Sequence, residues 1–147
     1  MNFSSEQKMV DSFEVSLISD FLPKNDFIKV YEPKGLFGIP DLILVENSCS
    51  LASKTYLTIA IEFKLKNWKR ALSQAFKYRS FANLSFVILD NAFIKPALKN
   101  IELFEKSNIG LISYDGNNVI FHHRPSNKTP FSKTQSEKLL EIILNQN

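Results

Sequence analysis

Two strand-forming runs with an amphipathic helix between them constrain this chain more than any other feature. Residues 56–64, YLTIAIEFK, are rich in β-branched and aromatic side chains, and within residues 84–89, LSFVIL, the run is almost continuously apolar. The first suits a pleated strand; the second suits a strand buried on both faces. Between them, residues 68–82 carry Leu72, Ala75, Phe76 and Arg79 bracketing the inner side of a predicted helix. A strand, a crossover helix and a second strand in one sheet give a parallel pair.

The flanking segments extend that unit. Residues 5–22 place Met9, Val10, Phe13, Leu17, Ile18 and Phe21 on one stripe, which predicts a helix capped by Ser4 or Ser5 and stopped by Pro23. Residues 27–32 and 39–46 read as strands separated by the turn signals Pro33, Gly35 and Gly38, and residues 47–54 as a polar loop. Pro96 opens a third helix running to about Lys106, a position where proline is tolerated. Residues 109–114 and 119–122 flank the turn Asp115-Gly116, and residues 135–144 form a last helix that covers the core or meets a second copy. The order α β β β α β α β β α predicts an α/β protein: one domain over residues 1–147, with a mixed sheet flanked by helices on both faces.

Composition removes several chemistries. Four dispersed glycines supply neither a dinucleotide turn nor a phosphate loop, and Cys49 with the pair His122 and His123 cannot make a zinc cluster or a disulfide framework. The histidines are expected to be exposed at a strand end, and Cys49 to be a bystander. No apolar run is long enough to span a bilayer and the N-terminus lacks a signal-peptide pattern, so a cytoplasmic, membrane-free protein is expected. The net charge of +3 hides an uneven distribution: residues 1–46 hold eight acids and four bases, residues 47–79 seven bases and only Glu62, and residues 80–147 come to +1. A polyanion is expected on the middle segment.

Acids inside apolar runs carry the chemistry. Asp41 follows Gly38-Ile39-Pro40 and precedes Leu42-Ile43-Leu44-Val45, while Glu62 and Lys64 interrupt the strand at 56–64. An ionised carboxylate in such a run is costly unless it is paired or meets a cation. Residues two apart on a strand share a face, with Cα atoms about 6.6 Å apart. That spacing suits a carboxylate on a metal beside an ammonium on its water. The ordinary alternatives are an exposed Glu62–Lys64 pair and a Pro-Asp turn at Asp41.

Pro40-Asp41 and Glu62-Phe63-Lys64, with the helix, hairpin, strand, helix and strand around them, resemble the PD-(D/E)XK nuclease superfamily. Gln74-Ala75-Phe76-Lys77-Tyr78 is similar to the Q-x-x-x-Y extension of some of its members, and Glu14 lies where many carry an acid on the first helix. The resemblance covers roughly residues 6–89. It implies a restriction-endonuclease-like αβββαβ core and a metal-dependent DNA endonuclease of processing, repair or defence. Asp41, Glu62, Glu14 and the Phe63 carbonyl would hold Mg²⁺ or Mn²⁺, which prefer oxygen donors. Lys64 would orient or deprotonate a water for attack on the phosphodiester, and Gln74 would face the scissile phosphate. Lys66, Lys69, Arg70 and Tyr78 would meet DNA, and Trp68 either stacks on a base or anchors the helix to the sheet. A homodimer or a larger complex would suit such an enzyme. The competing readings are a nuclease-like DNA-binding subunit without catalysis and a purely structural or protein-interaction domain.

Overall fold

A computed structural model describes residues 3–22, 26–46 and 56–146 of the chain. Its centre is a six-stranded mixed sheet: β1 (Phe27–Tyr31), β2 (Leu42–Glu46), β3 (Thr58–Lys64), β4 (Leu84–Asp90), β5 (Gly110–Tyr114) and β6 (Val119–His123). Spatial order follows chain order. β1, β2 and β3 form an antiparallel meander, β3–β4 and β4–β5 are parallel, and β5–β6 is an antiparallel hairpin. The protein is therefore α/β, as the sequence predicts, with the crossover helix α2 (Trp68–Tyr78) between β3 and β4.

Side-chain alternation divides the core in two. On one face Ile43, Val45, Ala60, Val87 and Leu89 pack beneath α2 and beneath α5 (Lys133–Gln146), which buries Leu139 and Ile143. On the other, Leu42, Leu44, Ile59, Ile61, Phe63, Phe86 and Ile88 meet Met9 of α1 (Glu6–Ser12) and the following Phe13 and Ile18. Helices thus cover both faces. The inner stripe of α2 is Trp68, Ala71, Ala75 and Tyr78, one turn apart, and differs from the expected set: Phe76 is 44% exposed. The two alanines let the helix backbone approach β4 closely, where the buried Ser85 hydroxyl donates to the Ala75 carbonyl at 2.7 Å. The helix also stops at Tyr78, short of Ala82.

Two expected helices are broken. The first leaves helical geometry at Phe13 (φ −75°, ψ 131°) and continues as a 3-10 segment, Val15–Phe21. The Tyr114 hydroxyl donates to the Ser12 carbonyl at 2.9 Å, and Phe13 packs edge-on to both Phe63 and Tyr114, so tertiary contacts override the helical period. The third divides into α3 (Lys95–Leu98) and α4 (Ile101–Ser107) at Asn100, whose backbone is not helical (φ −120°, ψ 26°) and whose side chain donates to the Pro96 carbonyl at 2.8 Å. Pro23, the loop at 47–54 and Cys49 lie outside the described residues. Among the described residues no helix is long and apolar enough to cross a membrane.

Candidate active site

The segment leading into β2 determines where Asp41 stands. Gly38 has φ +92°, and a β-carbon there would lie 2.8 Å from the Tyr78 ring, so both the backbone and the packing call for glycine. Pro40 has no N–H to offer a ladder, and β2 begins only at Leu42. Asp41 therefore sits at the threshold of the strand, outside the apolar run in which the sequence placed it. The last antiparallel rung joins Leu42 to Ile61. Past that rung the Asp41 carboxylate substitutes for a backbone partner, accepting the Phe63 N–H at 2.7 Å.

Glu62 is held from the other side. It is 3% exposed, on the face of β3 that α2 covers, and its Oε1 accepts the Tyr78 hydroxyl at 2.5 Å. The same hydroxyl lies 3.1 Å from the Ile39 carbonyl, so Tyr78 joins the segment before Asp41 to Glu62. The Lys64 ammonium stands 3.8 Å from Glu62 Oε2 and 3.8 Å from Glu6 Oε1 on α1. Burial and the neighbouring Asp41 charge push the Glu62 carboxyl up to about 7, against the opposing Tyr78 hydrogen bond and Lys64 charge. Burial also raises Asp41, opposed by the Phe63 N–H and by Lys64. Burial and the Glu62 charge push the Tyr78 phenol up as well, so it remains a donor.

A cavity of about 360 Å³ opens on Asp41 and is lined also by Gln7, Val10, Asp11, Tyr31 and Glu32. Its walls are acidic, and Glu32 adopts the left-handed backbone region (φ 47°) that non-glycine residues seldom enter. On the other side of Lys64 the surface is basic, with Lys66, Lys69 and Arg70 exposed at the start of α2.

The fold thus brings Asp41, Glu62 and Lys64 together and distributes the other candidates differently. Tyr78, expected on a nucleic-acid face, is buried against Glu62 because it belongs to the inner stripe of α2. Gln74, one turn earlier, is half-buried, and its Oε1 is a buried acceptor with no hydrogen-bond partner. Glu14 is exposed at the turn beyond α1, having left the helix with Phe13; the first-helix acid that reaches Lys64 is Glu6. Trp68 packs against Phe104 with ring centroids 6.0 Å apart and is the anchor rather than the stacking platform. The histidines are not exposed: His122 Nε2 meets Ser113 Oγ at 2.9 Å, and His123 Nδ1 meets the Ile109 carbonyl at 2.9 Å. Sequence reasoning missed Glu6, Asp11 and Glu32, for which only the acidic balance of residues 1–46 was a signal.

Among the described residues no group of three or more His, Cys, Asp or Glu side chains is arranged to hold a metal ion. The oxygen donors of the kind a hard cation prefers are the two raised carboxylates, Asp41 and Glu62. In a strand the N–H and C=O of one residue point to the same side, so the Phe63 carbonyl faces the same edge as the N–H that meets Asp41.

No family model matches this chain, and no curated protein matches it. Among solved structures it is similar to a protein of unknown function from Silicibacter pomeroyi, at 15% identity and a TM-score of 0.54, over 82% of this chain and 73% of that one. That likeness speaks to the fold alone.

Proposed function

We propose that this chain has a restriction-endonuclease-like αβββαβ core and is a metal-dependent nuclease that hydrolyses phosphodiester bonds of DNA. The observation that carries the reading is the convergence of Asp41, Glu62 and Lys64 at one end of β2 and β3, two partly desolvated carboxylates beside one ammonium. Asp41 and Glu62 would hold Mg²⁺ or Mn²⁺, with the Phe63 carbonyl as a further oxygen donor. When bound, the cation supplies charge stabilisation at the phosphate and lowers the pKa of a water. Lys64, 15% exposed and between Glu6 and Glu62, orients the attacking water and offsets developing negative charge. Tyr78 fixes the rotamer of Glu62, and Glu6 keeps Lys64 at the site. Lys66, Lys69 and Arg70 draw the polyanion to the basic side, away from the acidic cavity.

A second reading, a nuclease-like DNA-binding subunit without catalysis, is favoured by one observation: with no cation, Glu62 is raised to about 7, only partly ionised at neutral pH, and already engaged by Tyr78. Incubating the purified chain with duplex, single-stranded, flapped and junction DNA in Mg²⁺ or Mn²⁺ separates the two. Cleavage that disappears in both Glu62→Ala and Lys64→Ala supports the enzyme. All four substrates left intact, with DNA still bound, supports the binding subunit.

A further inference from the structure

A second concavity lies on the basic side of Lys64. It has a volume of about 540 Å³, in the range of small-ligand and nucleotide pockets, and lies between the start of α2 and the 3-10 turn Asn91–Phe93 that follows β4. It is therefore outside the carboxyl ends of the parallel strands β3 and β4, where open α/β sheets present ligands. Lys66, Lys69 and Lys95 line it with Phe93 and Trp68, and no acid does. Among the described residues none of the three lysines forms an ion pair. The Lys66 ammonium instead stands 5.5 Å from the Phe93 ring centroid and that of Lys69 5.7 Å from the Trp68 ring. Phe93 thus turns a ring face into the groove, beside three uncompensated cations.

We propose that this groove binds a single-stranded segment of nucleic acid, with backbone phosphates on Lys66, Lys69 and Lys95 and one unstacked base on the Phe93 ring. A base stacks on an aromatic face more strongly than an exposed ammonium contacts it, so the strand displaces Lys66 from the ring onto a phosphate. Duplex bases are stacked on each other and cannot offer that face. The groove begins two residues after Lys64, so a strand lying in it reaches the candidate active site; its role as substrate subsite rests on the nuclease reading, whereas its affinity does not.

Trp68, the chain's only tryptophan, borders the groove, so its fluorescence reports occupancy directly. A short oligothymidylate is titrated into the Glu62→Gln chain in EDTA, where cleavage cannot intervene. Three phosphate contacts on a single strand give a log–log salt slope of about −2, a loss of roughly 20-fold between about 50 and 200 mM salt. Lys66→Gln or Lys95→Gln should each reduce the slope to about −1.4, a loss of roughly 7-fold over the same range. Phe93→Ala should weaken binding about 10-fold and leave the slope unchanged. The groove is refuted if a duplex or polyglutamate quenches Trp68 at equal concentration, if the lysine variants keep the parent slope, or if oligothymidylate does not bind. Binding as described by a wild-type chain that cleaves nothing in Mn²⁺ overturns the nuclease reading and leaves the groove standing. Cleavage that is indifferent to Lys66, Lys95 and Phe93, in a chain that does not bind oligothymidylate as described, does the reverse.

Discussion

Replacing Glu62 by glutamine should stabilise the metal-free protein at alkaline pH and leave it unchanged in acid. Glutamine keeps the shape and the acceptor that Tyr78 uses, and removes only the charge. In the folded chain the Glu62 carboxyl is pushed up from 4.5 to about 7 by burial and by Asp41. The folded state therefore binds this proton more tightly than the unfolded state does. Stability is undiminished below about pH 4.5, falls as pH rises, and has lost the whole contribution above about pH 7, because in that window the native state carries more protons. A shift of this size corresponds to about 3 kcal/mol. For a chain of this length that is roughly 6–12 °C in Tm. Thermal unfolding in EDTA at pH 4 and pH 8 measures it: Glu62→Gln and the parent should coincide at the lower pH, below the unfolded-state value, and separate by that amount at the higher. A variant whose Tm difference is the same at both values, or which is less stable than the parent at pH 8, would show that Glu62 is not a desolvated carboxylate, and the argument for a cation site would fall with it.

Other outcomes follow from the same contacts. If a cation occupies the site, Mg²⁺ or Mn²⁺ at about a hundred times its dissociation constant should add about 3 kcal/mol of stability at pH 8, visible as a rise in Tm. Asp41→Asn and Glu62→Gln should each remove that rise. Gly35 and Gly38 both have positive φ, but only Gly38 lies against the Tyr78 ring. Gly35→Ala should cost about 1 kcal/mol of backbone strain and Gly38→Ala distinctly more, as read by urea unfolding; equal costs would remove the Tyr78 contact from consideration. Tyr114→Phe leaves the Ser12 carbonyl without its 2.9 Å donor and should cost about 1–3 kcal/mol, measured in the same way.

Periodicity made the sheet legible because period and burial agree there. The runs at 56–64 and 84–89 sit where the hydrophobic pattern placed them, and a crossover helix permits only a parallel return. The helices were less legible wherever a distant partner decides. The chain leaves the helical path at Phe13, after Ser12, where Tyr114, far along the chain, takes the Ser12 carbonyl, and nothing between residues 5 and 22 encodes that. At the candidate site, the spacing of Glu62 and Lys64 indicated a shared face, and an acid in an apolar context identified Asp41. The position of Tyr78 was ambiguous because Gln74, Tyr78 and Arg70 lie within reach of one helical face while Ala71, Ala75 and Tyr78 define another; only packing on β3 and β4 selects between them. Glu6 and Glu32 could not be found from local pattern, since their relation to Lys64 and Asp41 depends on how α1 and β1 dock.

The strictly sequential strand order has a kinetic consequence. Every strand pairs with the one before it in the chain, so each new pairing closes a short loop, a topology that favours rapid folding from the N-terminus onward. The meander of β1, β2 and β3 can bring Asp41 beside Phe63 before α2 has docked, while Glu62 still faces water and remains charged. Only when Tyr78 closes over it does that carboxylate lose its hydration and take up a proton. Refolding at neutral pH should therefore include a proton uptake that coincides with the docking of α2 and follows the first strand pairings, observable as a pH-indicator signal in stopped flow that lags the growth of sheet structure.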